Sequence, residues 1–253
     1  MTRLPTRLCL WSGPRNVSTA LMYAFAQRRD TRVIDEPLYA HYLRVSGAVH
    51  PGRDDVLAAQ MSDGAAVVRE QILGPTDTPV LFVKNMAHHI VDLDRSFLGA
   101  TRNVLLVRDP RQMLPSLVRQ LPRPTLADTG LAVQTELLAQ IESMGQEPVV
   151  LDARILLLDP RAVLQRLCVL FDIGFDASML TWSAGARPED GVWAQHWYHN
   201  VHRSTGFAAY AEKKEPFPEQ LRALLDECQP HYDELLRRAL MAPPQDVGES
   251  HAT

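Results

Sequence analysis

The sequence predicts an α/β fold with three layers, in which helices cover both faces of a central parallel sheet. Strand-like runs alternate with helix-like runs along most of the chain, and parallel strands need crossovers that place helices on the sheet. The chain has 253 residues, 46% of them hydrophobic, which is enough to bury one large core. We expect residues 1–241 to form a single domain and residues 242–253 to be a flexible C-terminal tail.

Five short segments have the apolar, β-prone composition of buried strands. They are residues 7–11, 32–35, 80–83, 103–107 and 148–151. Apolar residues at helical spacing predict helices at 17–28, 53–63, 87–97, 111–121, 131–144 and 160–172. Beyond residue 175 the chain becomes irregular and rich in aromatic residues, glycine and histidine. A long helical region follows at 217–240, and we expect Pro230 to interrupt it.

Composition narrows the class of protein. The formal net charge is −4, which argues against general binding to nucleic acid or to anionic membranes. We find no signal peptide and no membrane span, and the cysteines do not have the spacing of a metal site. The cysteines are odd in number, widely spaced and set in apolar patterns, which predicts reduced core thiols in a cytoplasmic protein. They are Cys9, Cys168 and Cys228.

The turn between the first strand and the first helix is the most informative segment. The apolar run ending at Trp11 gives way to residues 12–19 (SGPRNVST), and a helix begins within them. The first N–H groups of a helix have no intrahelical partner, and the helix dipole adds positive charge there. Arg15 adds a cation, and Ser18 and Thr19 add hydroxyls. This combination suits a phosphate or a sulfate.

The same turn differs from the nucleoside-triphosphate loop GxxxxGK[ST]. Four residues separate Gly13 from Ser18, but the second glycine and the lysine of that loop are missing. A strand-to-helix turn in which Ser18 or Thr19 only caps the helix is the structural alternative. The segment alone does not decide between an anion site and a helix cap.

A second segment, residues 101–120, predicts another anion site on the same edge of the sheet. A strongly β-prone run ends at Arg108, and Ser116 lies eight residues later on the helix that follows. In an open parallel sheet, ligands bind beyond the carboxyl ends of the strands, where the turn 12–19 also lies. Two such corners predict a ligand with two separated anionic groups. Two more arginines of this segment are interpreted as solvated helix charges, Arg111 and Arg119.

These segments resemble those of sulfotransferases that use 3′-phosphoadenosine 5′-phosphosulfate (PAPS). Residues 12–19 are similar to the family's 5′-phosphosulfate loop, and residues 107–116 (VRDPR…S) to its 3′-phosphate motif. Three weaker similarities occur in the family's order: the Glu-Pro element of the bacterial and carbohydrate branches at 35–39, the Asp-Pro helix at 158–171 and the cofactor-covering loop at 182–206.

The resemblance implies a P-loop-type turn that binds phosphosulfate, and it implies the residues that hold the cofactor. They are Gly13, Pro14, Arg15, Asn16, Val17, Ser18 and Thr19 in the loop, Arg108 and Ser116 in the second motif, and Arg187 in the covering loop. Val17 replaces a usual glycine of the family. Because a β-branched residue rarely takes positive φ, either the turn is shaped differently or Val17 already has helical geometry.

The implied reaction is transfer of a sulfuryl group from PAPS to an acceptor hydroxyl or amine, with adenosine 3′,5′-bisphosphate as the product. Arg15 and the loop N–H groups would neutralise the charge that develops on the bridging oxygen. Arg108 and Ser116 would anchor the departing bisphosphate. No metal is required, because a sulfuryl group carries less charge than a phosphoryl group.

A general base must take a proton from the acceptor. Glu36 is the first candidate, since its position resembles that of the catalytic glutamate in the carbohydrate branch; a loop carboxylate paired with an arginine is the structural alternative. His88 is the second candidate, because histidine is a suitable base at neutral pH. His89 is interpreted as structural. Lys84 either contacts the transferred group or is solvated.

The stretch 187–199 is too aromatic for an ordinary loop, and its tryptophans argue against disorder. Trp193 and Trp197 are four residues apart, which favours packing from one face of a short helix. Residues 203–207 are candidates for a further anion contact or for part of the acceptor pocket.

Three functions therefore remain open. The first is a PAPS-dependent sulfotransferase with Arg15, Glu36 and His88 as catalytic residues. The second is a degenerate sulfotransferase fold that binds without catalysis, and the third is a P-loop nucleotide kinase or hydrolase. The acceptor is a small molecule or a carbohydrate, and its identity is not predictable because variable loops build such pockets. Composition does not decide the oligomeric state.

Overall fold

Five parallel strands form the centre of the computed structural model, which describes residues 4–213 and 215–240. They are β1 (Thr6–Ser12), β2 (Thr31–Asp35), β3 (Val80–Met86), β4 (Arg102–Val107) and β5 (Val149–Asp152). Their order in the sheet is β2-β3-β1-β4-β5. All five predicted strands are confirmed, as is the α/β class with a parallel sheet.

Eleven α-helices connect or flank the strands within the described residues. They are α1 (Ser18–Ala26), α2 (Tyr39–Ser46), α3 (Arg53–Ala59), α4 (Gly64–Val67), α5 (Pro110–Leu117), α6 (Leu126–Thr129), α7 (Leu131–Ser143), α8 (Ala153–Leu158), α9 (Pro160–Leu170), α10 (Ala194–Trp197) and α11 (Arg222–Leu236). A π-helical turn, Val68–Ile72, extends α4, and the remaining helical turns are short 3₁₀ segments.

Alternate residues of β1 point to opposite faces of the sheet, and each face has its own apolar core. Cys9 and Trp11 pack with residues of α5, α7 and α11. Leu8 and Leu10 pack on the other face with residues of α1, α8 and α9. This arrangement is the predicted three-layer order. A third cluster joins α2 and α3 to the aromatic stretch around Trp193.

The structure corrects two helix predictions. Residues 87–97 form two 3₁₀ turns, Ala87–His89 and Ser96–Ala100, instead of one helix. Asp92 takes positive φ between them, and Asp94 accepts a hydrogen bond from the Ser96 N–H, so the backbone is turned at both aspartates. In the C-terminal region, α11 continues through Pro230 without interruption.

The cysteines Cys9, Cys168 and Cys228 are buried and free. None of the helices in the described part of the chain has both the length and the apolar character needed to cross a membrane. The tail predicted for residues 242–253 lies outside the described residues, so it stays a prediction.

Candidate functional site

The turn that follows β1 has positive φ at Arg15 and not at Val17. Arg15 has φ 54°, whereas Val17 has φ −86° and serves as the N-cap of α1. The side chain of Val17 packs against the apolar core on the α1 face of the sheet. The valine is therefore compatible with the turn, because the residue that must adopt a left-handed conformation lies two positions earlier.

Gly13 allows the turn to lie against the end of α6. A Cβ atom at position 13 would be 2.4 Å from the carbonyl oxygen of Thr129, which is a backbone atom and cannot rotate away. The absence of a side chain therefore sets the distance between the turn and the backbone of residues 129–130.

We expect Gly13→Ala to lower the free energy of unfolding by about 1–3 kcal/mol, the usual cost of forcing extra volume into packed structure. Urea unfolding at neutral pH measures the change. Gly174→Ala is the matched control, because a Cβ atom there meets nothing within 4 Å. Equal effects of the two substitutions would contradict this account of Gly13.

The two predicted anion motifs contact one another directly. Arg15 donates from Nε to Ser116 Oγ at 2.9 Å, and Arg108 donates from Nη1 to the carbonyl oxygen of Arg15 at 2.8 Å. Asn16 donates to the carbonyl oxygen of Leu106 at 2.7 Å, which ties the turn to β4. The turn and the second motif thus form one corner at the carboxyl ends of β1 and β4.

This corner gathers positive charge. Burial lowers the pKa of Arg15, and the charges of Arg108 and Arg119 lower it further. Burial also lowers the pKa of Arg108. Arg119 was interpreted from sequence as a solvated charge; it is exposed, yet its charge acts on the same corner. A buried cation whose pKa is lowered by neighbouring cations, as that of Arg15 is, marks a place where an anion would be stabilised.

Lys213 is a fourth cation of this corner, and no sequence motif described above predicts it. Its Nζ donates to the carbonyl oxygen of Gln112 at 2.7 Å, and its backbone N–H donates to the Gln112 side chain at 3.1 Å. Burial lowers the pKa of Lys213, followed by the charges of Arg108, Arg119 and Arg15. The sequence signal was a Lys-Lys pair after the irregular aromatic stretch, in a chain with one other lysine.

Arg187, predicted to cover the same anion, lies elsewhere. Its Nε donates to Glu189 at 2.9 Å, and its guanidinium lies 4.8 Å from the centre of the Tyr23 ring. The structure therefore places Lys213 at the basic corner, whereas the contacts that it shows for Arg187 are with Glu189 and Tyr23.

A buried charge cluster lies at the ends of β2 and β3, formed by Asp35, Glu36, Lys84 and Tyr198. Lys84, 1% exposed, donates from Nζ to Asp35 at 2.9 Å, to Tyr198 Oη at 2.8 Å and to Glu36 Oε1. Tyr198 in turn donates to Asp35 Oδ2 at 2.8 Å. The structure thus excludes a solvated Lys84, and it gives Glu36 a lysine partner instead of an arginine.

The cluster contains two carboxyls and one ammonium, so its ionisation is perturbed. Burial raises the pKa of Glu36; Lys84 opposes this and the charge of Asp35 adds to it, with a raised pKa as the net result. For Lys84, burial lowers the pKa, but Asp35 and Glu36 outweigh it and the pKa is raised. At neutral pH Lys84 is therefore charged, and Glu36 is a stronger base than an ordinary glutamate.

The two oxygens of Glu36 differ. Oε1 accepts the hydrogen bond from Lys84, whereas Oε2 accepts none from a described residue and lies 3.9 Å from His89 Nδ1. Glu36 also has positive φ, 41°. Strained backbone and an unpaired carboxylate oxygen on a cavity wall are frequent at functional sites.

His88 and His89 lie beside this cluster in an aromatic environment. Burial lowers the pKa of His88 to about 4, and its Nδ1 has no hydrogen-bond partner among the described residues. His89 stacks on Tyr39 and Tyr42 with ring centres 4.7 Å apart in both pairs. Burial also lowers the pKa of His89 well below its usual value, so both imidazoles are neutral at pH 7.

A cavity of about 680 Å³ connects these features, a volume typical of small-molecule sites. We call one part of it the anion end; it is lined by residues 13–20, Arg108, Leu157, Gly206 and Phe207. We call the other part the aromatic end; it is lined by Tyr39, His50, His88, His89, Trp193 and Trp197. Glu36 and Lys84 also line the cavity. Among the described residues no group of His, Cys, Asp or Glu side chains could hold a metal ion.

Comparison with known proteins decides the family. A family model described as a sulfotransferase domain matches residues 6–239, nearly all of the chain. The chain belongs to the sulfotransferase family. The resemblance stated from residues 12–19 and 107–116 is thereby confirmed.

Solved sulfotransferases share the fold of this domain. A sulfotransferase domain from the curacin biosynthetic pathway aligns with TM-score 0.54 over 90% of this chain and 99% of that one, at 15% identity. A sulfotransferase from Alicyclobacillus acidocaldarius aligns with TM-score 0.52 over 94% and 98% of the two chains, at 13% identity. At such identities the likeness is one of fold.

Curated relatives of this sulfotransferase domain are longer proteins. Two Arabidopsis thaliana proteins, "Branched-chain-amino-acid aminotransferase-like protein 2" and "Branched-chain-amino-acid aminotransferase-like protein 1", are 38% and 39% identical over 224 residues. The match includes 88% of this chain but spans only 40% of each relative.

Proposed function

We propose that this protein is a PAPS-dependent sulfotransferase that transfers a sulfuryl group to an acceptor hydroxyl. The observation that carries the proposal is the basic corner in which Arg15, Ser116 and Arg108 are hydrogen-bonded together beside Lys213. A corner that gathers Arg15, Arg108, Arg119 and Lys213 suits a ligand with several negative charges, and PAPS has a 5′-phosphosulfate and a 3′-phosphate.

The anion end fits the rest of the cofactor. The N-terminus of α1 supplies N–H groups and partial positive charge for the 5′ group. Arg108 and Lys213 suit the 3′-phosphate. Phe207, which packs in the same apolar core as Val17, offers a face for the adenine ring.

PAPS, when bound, supplies the activated sulfuryl group. Arg15 and the loop N–H groups neutralise charge on the bridging oxygen as it develops, in a partly buried place where such contacts are strong. Glu36 takes the proton of the acceptor on Oε2, and Lys84 keeps that carboxyl oriented through Oε1. Glu36 is the better base of the two candidates, because its pKa is raised whereas that of His88 falls to about 4.

The names of the plant relatives contain the word aminotransferase, but we do not propose that activity for this chain. Transamination requires a lysine that loses its proton to form a Schiff base. Lys84, the buried lysine of the site, is held as an ammonium by two carboxyls and its pKa is raised. The words "aminotransferase-like" stand in the names of proteins of which the match spans only 40%.

Arg108→Ala should weaken the binding of adenosine 3′,5′-bisphosphate about 10- to 100-fold, since a charge-assisted contact is worth about 1.5–3 kcal/mol. Isothermal titration calorimetry without added metal measures the dissociation constant. Arg111→Ala is the matched control, because Arg111 is exposed on the same helix, α5. Lack of nucleotide binding by the unmodified protein would contradict the proposed function.

A further inference from the structure

The aromatic end of the cavity has the properties of a pocket for a flat apolar group. The rings of Tyr39 and Trp193 meet edge to face at 5.3 Å between centres, and the rings of His50 and Trp197 meet at 6.2 Å. Pro51 and Leu121 extend this wall with apolar surface. Aromatic walls of this kind gain most from an aromatic partner, through both burial and ring geometry.

The aromatic end offers no counter-ion to an anionic acceptor. Burial lowers the pKa values of His50, His88 and His89, so these imidazoles are neutral at pH 7. Lys84 is already occupied by two carboxyls. Among the described residues that line the cavity, Asp128 is a further charged group at this end, and its charge acts on His50 and His88. An acceptor carrying a carboxylate or sulfate would therefore meet negative charge without compensation.

Several polar atoms of the cavity lining are covered by the protein itself. In the described residues that line the cavity, the buried side-chain polar atoms without a hydrogen-bond partner are His88 Nδ1, His89 Nδ1, Gln120 Oε1 and Trp197 Nε1. Tyr39 Oη is engaged with His50 Nδ1 at 2.8 Å. Because these four atoms are covered and Tyr39 Oη is engaged, none of them offers a partner to the hydroxyls of a sugar.

The strength of the base also favours a particular hydroxyl. Glu36 has a raised pKa, but it remains a carboxylate paired with Lys84. A phenolic hydroxyl has a pKa of about 10, whereas an aliphatic hydroxyl is about as weak an acid as water, near 16. A carboxylate removes the proton of the first far more readily than that of the second.

Building on the proposed function, we propose that the acceptor is an uncharged phenol, with its ring in the aromatic end and its hydroxyl at Glu36. The phenolic O–H bond breaks and its proton passes to Glu36 Oε2. The phenol oxygen forms the new bond to sulfur as the bond between sulfur and the bridging oxygen breaks. The electron pair of that bond stays on the 5′-phosphate of adenosine 3′,5′-bisphosphate, which leaves.

The test compares matched acceptors with the full chain and PAPS, following release of adenosine 3′,5′-bisphosphate. 4-Methylphenol and 2-naphthol are the phenols. 4-Methylcyclohexanol keeps the shape without the acidic hydroxyl, 4-hydroxybenzoate adds a carboxylate, and N-acetylglucosamine represents sugars. We expect kcat/KM for a phenol to exceed each of the other three at least about tenfold, the discrimination that one pocket can supply.

The variant Trp197→Leu tests whether the phenol lies in the aromatic end. It should raise KM for the phenols while leaving the affinity for adenosine 3′,5′-bisphosphate unchanged, because Trp197 lines the aromatic end. Gln195→Leu is the matched control, since Gln195 is exposed on the same helix, α10. Unchanged nucleotide affinity shows that the variant is folded.

The outcomes separate the two proposals. If the nucleotide binds and a sugar, 4-methylcyclohexanol or 4-hydroxybenzoate is used as well as the phenols, the phenol proposal is wrong and the proposed function stands. If the nucleotide binds and neither phenol is sulfated, the phenol proposal is also wrong. If the nucleotide does not bind, both the phenol proposal and the proposed function are wrong.

Discussion

Glu36→Gln should lower kcat about 10²- to 10⁴-fold, the usual contribution of a general base, while the affinity for adenosine 3′,5′-bisphosphate stays unchanged. Glutamine keeps an oxygen that can accept the hydrogen bond of Lys84, and Asp35 still balances the ammonium. We therefore expect the variant to fold normally and its kcat to fall because proton transfer is impaired. Steady-state kinetics with a phenol acceptor and calorimetry with the nucleotide measure the two quantities.

The pH profile identifies the base. Glu36 acts when deprotonated, so kcat should fall as the pH is lowered through the pKa of Glu36, which burial raises above its usual value. Asp35→Asn removes a charge that raises this pKa. The acid limb of the profile, which is the fall in kcat at low pH, should therefore move to lower pH. His88→Gln should leave the acid limb in place. A limb that disappears in His88→Gln and persists in Glu36→Gln would assign the base to His88.

Much of the fold could be predicted because local pattern and tertiary structure agree. The three central strands, β3, β1 and β4, are largely apolar, β-prone runs buried on both faces, which is the pattern expected of a parallel sheet covered by helices. The prediction failed at residues 87–97, where apolar spacing resembles a helix but Asp92 and Asp94 turn the backbone. Side-chain hydrogen bonds to nearby backbone overrode the periodicity there.

Only those parts of the site that belong to local sequence motifs could be predicted. The proximity of Arg15, Arg108 and Ser116 is predictable because each lies at a fixed offset from a strand end, and the three are hydrogen-bonded together. Lys213 and Tyr198 were not assigned, since their positions depend on where a long irregular segment crosses the finished sheet. Arg187 looked suitable by order along the chain, but folding pairs it with Glu189 and Tyr23.

Lys84 is the cation of the buried charge cluster, where it pairs with two carboxyls. Its removal should therefore destabilise the fold. Lys84→Met leaves Asp35 and Glu36 buried without a cation. We expect a loss of about 3–5 kcal/mol in the free energy of unfolding, the usual cost of breaking a buried ion pair from one side. Urea unfolding at pH 7 measures it, and Arg69→Met is the matched control because the Arg69–Glu70 pair is exposed.

The pH dependence of that loss distinguishes charge from packing. Lys84 lowers the pKa of Glu36 in the intact protein, so its removal should raise a pKa that burial has already raised. A carboxyl whose folded pKa lies above its unfolded value binds its proton more tightly when folded, so its stabilising effect is present at low pH and is lost as the pH rises through the folded pKa. The deficit of Lys84→Met should therefore shrink as the pH is lowered from 7 toward the ordinary range of glutamate. A deficit that is the same at every pH would mean that lost packing, and not uncompensated charge, is what the lysine prevents.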